Sequence, residues 1–463
     1  MAIQSTRIRP LKDIDERADS RYVLYWMQSA QRAGFNPALE FAVEEANHRD
    51  LPVVVGFGLT DAYPEANARH YAFMLQGLAD VAEGLAARGV TFVIRKGEPD
   101  KVALELSREA ALVVCDAGYL RLQRQWRRAL AEAIDVRLIR IEGDVVVPIA
   151  QVSRKHEYAA RTIRPKIQKL WEDYIVPLRE RRVSKRNVID LPSDLDLDDV
   201  EAALKTLKVD HAVPPVRRFR GGEVEARRRL EAFVEGPLSE YAEARGRPEA
   251  EAVSYLSPYL HFGQISPVEI ALAVREAKGP NSETKSKYLE ELIVRRELAI
   301  NHAWHNEAYD AFEGLPDWAR ATLAEHEADP RPHLYSPADL EAARTHDDYW
   351  NAAQREMVET GYMHNRMRMY WGKKILQWSE KPEEAFDLIL RLNNRYFLDG
   401  RDANSYTNVG WLFGLHDRPW PTQPVFGTVR SMGPNTFKSF DADAYVAQVE
   451  ALCAAEGEES TRT

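Results

Sequence analysis

Short β-branched segments alternate with amphipathic helical segments through the first 150 residues of the chain. Strands and helices that alternate at this spacing predict a parallel, doubly wound sheet of the Rossmann-like kind. No Gly-x-Gly-x-x-Gly follows the first strand segment, so the usual dinucleotide fingerprint is missing. The predicted strands are Tyr22–Trp26, Val53–Leu59, Thr91–Lys96, Leu112–Asp116 and Val136–Ile141. The predicted helices are Pro37–His48, Ala66–Ala87, Lys101–Arg108 and Leu122–Ala133.

The pattern changes twice further along the chain. Residues 151–222 are irregular, first basic and then acidic, which indicates a long connector. Beyond Glu223 strand signals nearly vanish, and helix starts such as Ser266-Pro267 and Ser336-Pro337 take over. We therefore expect an α/β domain over residues 1–150, a connector over 151–222 and a helical domain over 223–463.

Composition narrows the class of protein. The chain has 463 residues, of which 45% are hydrophobic and 29% charged, as in ordinary soluble globular proteins. Its polar start lacks the apolar core of a signal peptide, and its apolar runs are too short to span a bilayer. Only Cys115 and Cys453 occur, with no CxxC spacing. We expect a cytoplasmic protein with no membrane segment, no disulfide and no metal site.

Positive charge is concentrated in two runs, although the whole chain has a net charge of −10. Arg154–Arg186 holds 11 Lys or Arg against 4 Asp or Glu, and Arg217–Arg229 holds 6 against 2. Either run alone is explained by a solvated helix face. A basic groove on an acidic body is the alternative, and it would suit nucleic acid or a phosphorylated ligand.

The segment from Trp350 to Trp378 predicts two helices separated by a glycine-containing break. Trp371 and Trp378 are seven residues apart and share one helix face, and a fold-back would bring Trp350 close to them. Core filling explains any one buried tryptophan. However, Arg366 and Arg368 are interleaved with these indoles, and a buried helix rarely carries such charge unless an anion lies against it.

Five motifs give the chain a resemblance to the photolyase/cryptochrome family. SYLSPYLHFGQIS (254–266) resembles its flavin-phosphate segment, and HNRMRMYWGKKILQW (364–378) resembles its flavin-contacting helix. LNNRYFLDGRDANSYTNVGW (392–411) resembles the loop that binds the isoalloxazine ring. EYAARTIRPKI (157–167) and the pair HDRPW and FGTVRSM (416–432) resemble class II cyclobutane pyrimidine dimer photolyases. The resemblance covers essentially the whole chain in order.

The resemblance implies a carbon–carbon lyase that repairs pyrimidine dimers in DNA by light-driven electron transfer. The expected cofactor is FAD, active in its reduced anionic form, and the expected partner is double-stranded DNA with a flipped-out dimer. The resemblance also implies an antenna chromophore in the α/β domain, with 8-hydroxy-5-deazaflavin as the candidate and a domain without one as the alternative. We expect a monomer, associated with the nucleoid if the source is bacterial or archaeal.

Three other functions remain as alternatives. A cryptochrome-type blue-light photoreceptor uses the same scaffold, but such proteins often carry a long C-terminal extension that this sequence lacks. A nucleotide-binding protein with a helical partner-binding module would leave the Arg–Trp interleaving unexplained. Repair of 6–4 photoproducts usually relies on a pair of histidines at the lesion, which is not visible in the matching segments.

The resemblance also assigns roles to individual residues. The residues expected to hold the flavin are Tyr241, Ser254, Leu256, Ser257, Arg368, Asp399 and Asn404. For the amide beside flavin N5 the class II pattern favours Asn393, whereas other classes point to Asn404. Glu291 is expected at the carbonyl oxygens of the dimer, with a raised pKa if it is buried.

Two further sets complete the expected site. The residues expected to contact the lesion or the DNA are Arg245, Met369, Trp411 and Arg430, the last on the backbone. The residues expected to pass electrons to the flavin are Trp371 nearest the ring, Trp350 next and Trp378 at the protein surface.

Overall fold

One six-stranded sheet forms the first part of the chain in the computed structural model, which describes residues 3–15, 17, 19–186 and 189–457. Its strand order is β1-β6-β5-β2-β3-β4, in which β2 to β6 run parallel and β1 pairs antiparallel with β6. The strands are β1 (Ile8–Lys12), β2 (Tyr22–Trp26), β3 (Val53–Leu59), β4 (Thr91–Lys96), β5 (Ala110–Asp116) and β6 (Arg137–Ile141). This is the doubly wound α/β architecture that the alternating pattern predicts.

Helices cover both faces of the sheet, because successive side chains of a strand point to opposite sides. Val23 and Tyr25 of β2 face the core built with the first two helices, whereas Leu24 and Trp26 face the core of the next two. The helices are α1 (Pro37–His48), α2 (Ala68–Arg88), α3 (Pro99–Leu106) and α4 (Arg121–Ala133). The predicted strands and helices of this part are all present, with ends shifted by at most two residues.

Strand β1 is the element that the sequence pattern missed. It is an edge strand whose side chains are half-buried or exposed, so it lacks the apolar run of a central strand. Pro10 within it is tolerated because an edge strand need not donate every backbone N–H to a neighbour.

The connector packs against both parts of the molecule. Its first half supplies Ile163 and Ile167 to the core of the helical part, and its second half supplies Leu204 and Leu207 to the sheet. Its helices are α5 (Ile149–Val152), α6 (Ala160–Gln168), α7 (Trp171–Tyr174) and α8 (Val200–Lys205). The exact domain limits stay a prediction.

The rest of the chain is helical. Its helices are α9 (Glu223–Glu235), α10 (Tyr241–Ala244), α11 (Ser257–His261), α12 (Pro267–Glu276), α13 (Ser282–Leu289), α14 (Arg296–His305), α15 (Asp317–Glu325), α16 (Pro337–Glu341), α17 (Asp348–Thr360), α18 (Asn365–Trp378), α19 (Pro382–Tyr396), α20 (Ala403–Leu412) and α21 (Ala442–Gly457). A π-helical turn, Glu290–Arg295, joins α13 to α14. The predicted caps are present: the hydroxyls of Ser266 and Ser336 accept from the backbone N–H groups of Val268 and Asp339. Within the described residues, no helix is both long and apolar enough to cross a membrane.

The fold-back predicted between Trp350 and Trp378 is confirmed. Helix α17 ends at Gly361, whose φ of 71° is left-handed and is readily adopted only by a residue without a side chain. Helix α18 then packs against α17, and the indole N–H of Trp350 donates to the backbone oxygen of Trp371 at 3.0 Å.

Candidate active site: a cofactor cavity and an adjoining aromatic pocket

A large open cavity lies between α10, the π-helical turn, α18 and the segment that joins α19 to α20. Its volume is about 500 Å³, which lies within the range of about 300–1,000 Å³ of pockets for drug-sized ligands. Ten residues predicted from the sequence line it: Tyr241, Arg245, Ser254, Leu256, Ser257, Glu291, Arg368, Met369, Asp399 and Asn404. Segments far apart in the sequence therefore converge on one site.

Hydroxyl and backbone groups form one end of the cavity. The loop before α11 brings Ser254 to the wall, and Ser257-Pro258 begins the helix with proline at an early position, where no N–H is needed. The hydroxyl of Tyr288 donates to Ser254 Oγ at 3.1 Å. Burial raises the pKa of Tyr288, so this hydroxyl stays protonated and remains a donor.

A bidentate ion pair forms another part of the wall. The two terminal nitrogens of Arg368 lie 2.9 and 3.1 Å from the two carboxylate oxygens of Asp399. Arg368 Nε donates to the backbone oxygen of Met363 at 2.8 Å, and its guanidinium carbon lies 3.8 Å from the centre of the Phe397 ring. Because both side chains are largely buried, the pair presents a fixed cation and a fixed carboxylate to a bound ligand.

Glu291 projects from the π-helical turn, a rare conformation that occurs frequently at functional sites. Its Oε1 lies 2.8 Å from Arg245 Nη1, whereas Arg295, the ordinary helix partner, pairs with Glu290 instead. The Glu291 side chain is 44% exposed, so it is not buried in the structure. Glu291 is thus held at the mouth of the cavity by a residue of another helix.

The two candidate asparagines differ in position. Asn404 lines the cavity, whereas Asn393 is buried and is not among the described lining residues. Asn393 Nδ2 donates to Asn394 Oδ1 at 3.0 Å and also to Ser405 Oγ on α20. Cavity geometry therefore does not support the preference for Asn393.

The three tryptophans form a buried group behind the cavity. Trp371 packs edge-on to Phe397, with ring centres 6.4 Å apart, and its N–H donates to Gln354 Oε1 at 2.7 Å. The rings of Trp350 and Trp378 are 5.5 Å apart. Trp378 is only 2% exposed, so the expectation that it lies at the surface is wrong.

The rings that cover Trp378 explain its burial. Tyr335 and His346, from the segments on either side of α16, lie 5.3 and 5.4 Å from it, centre to centre. The spacing of tryptophans along one helix could not predict that these two rings pack against Trp378.

An aromatic pocket adjoins the cavity. Met369 and Arg366 line both, and Trp411, Trp420 and Arg430 complete the pocket, whose volume with its mouth is about 920 Å³. Met369 and Trp411, the two apolar residues expected to contact the lesion, thus line one pocket, and the lesion contact itself stays a prediction.

The guanidinium group of Arg430 already contacts two other side chains of the pocket. Its Nε and Nη2 lie 2.8 and 3.1 Å from the carboxylate of Asp417, and its guanidinium carbon lies 4.0 Å from the centre of the Trp420 ring. Because Asp417 is mostly buried and the pair is bidentate, Arg430 helps to hold the aromatic wall in place, and its predicted contact with the DNA backbone stays a prediction.

Lys373 lies beneath this pocket and was missed by sequence reasoning. It is fully buried, its Nζ donates to the backbone oxygen of Leu412, and it lies 5.3 Å from the centre of the Trp411 ring. Burial lowers its pKa to about 7. A lysine two residues after Trp371 on an amphipathic helix was the available signal, but nothing in the pattern placed it on the buried face.

The second basic run does not form an open basic groove. Arg218 pairs with Glu356, Arg227 with Glu269, and Arg228 and Arg229 both pair with Glu225. Most of its positive charge is thus balanced by neighbouring carboxylates within the fold.

A second cavity, whose volume with its open mouth is about 670 Å³, lies at the carboxyl ends of β2 and β3. Gln28, Thr60, Tyr63, Trp126 and Arg401 are among the residues that line it. Here the strand order reverses between β2 and β5, and ligands of open α/β sheets bind at such switch points. This cavity, which Arg401 of the helical part also lines, therefore lies where a ligand of an α/β sheet is expected.

An α/β domain joined to a helical domain with a cavity of this size defines a class of two-domain, cofactor-binding proteins. The family model described as DNA photolyase matches residues 23–183. A deoxyribodipyrimidine photo-lyase of Methanothermobacter thermautotrophicus is 43% identical over 97% of this chain and 99% of its own length. The Arabidopsis thaliana protein of that name is 36% identical over 98% of this chain and 94% of its own. The chain belongs to the DNA photolyase family.

Solved structures agree on the fold. A bacterial class III photolyase from Agrobacterium tumefaciens superposes with a TM-score of 0.71 at 20% identity, over 95% of this chain and 88% of the other. An archaeal photolyase from Sulfolobus tokodaii, solved with two FAD molecules, superposes with a TM-score of 0.67 at 17% identity, over 94% and 93%.

Proposed function

We propose that this protein is a deoxyribodipyrimidine photo-lyase that uses FAD and light to open cyclobutane pyrimidine dimers in DNA. Its relatives of that name align over almost their whole length. The single observation that carries the proposal is the buried Arg368–Asp399 pair in the wall of a large cavity that opens beside an aromatic pocket. A cryptochrome-type photoreceptor is the alternative, and no feature of the site favours it.

The cavity residues fit FAD. The hydroxyl-rich end around Ser254 and Ser257 suits the pyrophosphate, and Arg368 with Asp399 suits a polar ring system that carries negative charge in its reduced form. When bound and reduced, FAD supplies a light-excited electron donor. The chain itself contributes the binding groups and the fixed charges.

The aromatic pocket supplies the surface for the extruded lesion. Met369 borders both the cavity and the pocket, so the two linked pyrimidines of a dimer placed against Met369 and Trp411 would lie next to the cofactor. Glu291 and Arg245, at the cavity mouth, would both contact the flipped dimer, Glu291 at its carbonyl oxygens. A damaged pair is cheaper to extrude than a sound one, which favours binding at lesions.

The N5 amide can be assigned by experiment. Asn404 lines the cavity, and Asn393 reaches the same helix through Ser405. Asn393→Ala and Asn404→Ala proteins should be compared for the rate at which reduced flavin reoxidises in air. The residue whose loss speeds reoxidation is the one that faces N5.

We also propose that the second cavity, at the carboxyl ends of β2 and β3, holds the antenna. Tyr63 and Trp126, whose rings are 6.1 Å apart, offer an apolar wall, and Arg401 offers a fixed charge, a combination that suits a flat polar chromophore such as 8-hydroxy-5-deazaflavin. The absorption spectrum of the purified protein tests both cofactors. Flavin bands with one FAD per chain are expected, and a folded protein that cannot be reconstituted with FAD would refute the proposal.

A further inference from the structure

Three histidines from distant parts of the chain meet outside the cofactor site. His156 lies in the connector before α6, His302 lies in α14, and His416 follows α20. One nitrogen from each ring lies within 4.8 Å of those of the other two. The closest pair, His302 Nδ1 and His156 Nε2, is 3.0 Å apart.

This cluster is separate from the chemistry proposed above. None of the three residues is among the described lining of the cofactor cavity or of the aromatic pocket. The group instead joins the connector to the helical domain. His416 also directly precedes Asp417, the partner of Arg430. Whatever holds the three rings together therefore also holds one end of the aromatic wall.

One ring nitrogen in the cluster lacks a partner. Within the described part of the chain, His416 Nε2 is buried and makes no hydrogen bond. Buried polar atoms are normally satisfied, so such an atom calls for an explanation by a water or an ion. The hydrogen bond between His156 and His302 satisfies one nitrogen of each of these rings. It provides no partner for the buried Nε2 of His416.

The charged groups near the cluster balance one another. Glu157 pairs with Lys166 and Arg295 pairs with Glu290, so the nearby arginine adds no uncompensated positive charge beside a bound cation.

We propose that His156, His302 and His416 bind one divalent transition-metal ion of the zinc class. Neutral imidazoles suit Zn²⁺, Cu²⁺, Ni²⁺ and Co²⁺, whereas Mg²⁺ and Ca²⁺ take oxygen ligands. Metal–nitrogen bonds of about 2.0–2.1 Å in a tetrahedron place two ligand nitrogens about 3.3 Å apart, close to the 3.0 Å between His156 and His302. The fourth position is left to water, and the ion fastens the connector to the loop after α20.

Zinc binding by the full-length, FAD-loaded protein tests this site. The protein should carry no polyhistidine tag, be treated with a chelator, and then be dialysed against ZnCl2 and analysed for zinc by mass spectrometry. We expect about one zinc per chain, and a Tm that rises by several degrees as zinc saturates the site.

Substitutions assign the zinc to the cluster. His156→Gln and His416→Gln should each reduce bound zinc at least tenfold and abolish the Tm rise, while FAD content stays unchanged. Two variants are needed because either alone could alter local folding. His333→Gln is the matched control, since His333 stacks on His346 at 3.8 Å in an exposed pair away from the cluster, and it should bind zinc like the wild type.

The contrary result is equally clear. If the wild type binds no stoichiometric zinc, or if all three variants bind it equally, the histidines are a hydrogen-bonded group without a metal. FAD content is measured on the same samples, so failure of the metal site is distinguishable from failure of the proposed repair function.

Discussion

Replacing Lys373 with Met should remove a specific part of the pH dependence of stability. Burial lowers the pKa of Lys373 from its ordinary 10.5 to about 7 in the folded protein. Between these values the unfolded chain holds a proton that the folded chain has released, so folding becomes more favourable as pH rises. Below pH 7 Lys373 is protonated in both the folded and the unfolded chain, so its contribution to the free energy of unfolding no longer changes with pH.

The size of the effect follows from the shift. Each pH unit between the two pKa values adds about 1.4 kcal/mol to the free energy of unfolding. The first unit above pH 7 adds less, because Lys373 of the folded protein is only partly deprotonated there. From pH 7 to pH 9 the wild type should therefore gain about 2 kcal/mol relative to Lys373→Met. For a domain of the size of the helical domain, residues 223–463, a change of about 2 kcal/mol corresponds to a Tm shift of about 4–8 °C. Loss of the donor to Leu412 adds a cost of about 1–3 kcal/mol that does not depend on pH.

The assay is the Tm of the FAD-loaded protein, followed by the rise of flavin fluorescence on unfolding at pH 7, 8 and 9. The difference between wild type and Lys373→Met isolates this one group from all others that titrate. Lys381→Met, at an exposed lysine beyond the same helix, is the control and should track the wild type. Parallel pH profiles for wild type and Lys373→Met would refute the reasoning.

Three further predictions concern the cofactor and the DNA. Trp371→Phe should block photoreduction of oxidised flavin but leave repair by chemically pre-reduced protein nearly intact; unchanged photoreduction would mean that electrons take another route. Asp399→Asn should lower the FAD content of the purified protein, because it breaks a largely buried ion pair, a change that costs about 3–5 kcal/mol; full FAD retention contradicts the assigned role. Trp411→Ala and Arg430→Ala should both lower the preference for dimer-containing over intact duplexes in binding titrations, since Arg430 supports the aromatic wall. If Arg430→Ala instead weakens both duplexes equally, Arg430 contacts phosphate only.

The α/β domain could be predicted almost completely because its signals are local. A buried parallel strand is a run of apolar residues, and Val53–Leu59 matches the observed strand at both ends. Edge strand β1 could not be predicted in this way, since half of its surroundings are water and its sequence carries no such run.

The sequence predicted only those site residues that belong to a motif shared with a known family. Ser254 and Arg368 were found through segments that resemble a known family, and they line one cavity. The pairing of Arg430 with Asp417, the cover over Trp378 and the meeting of three histidines depend on contacts between distant segments. Neither spacing nor composition carries that information, because it arises from tertiary packing alone.

Light-dependent repair is the most direct test of the proposed function. FAD-loaded, chemically reduced protein should be mixed with a duplex that contains one thymine dimer, and intact thymines should be measured after blue light or darkness. The account predicts restored thymines in the illuminated sample only, with the duplex backbone uncut. Dimers that persist under light, or that disappear equally in the dark, would contradict it.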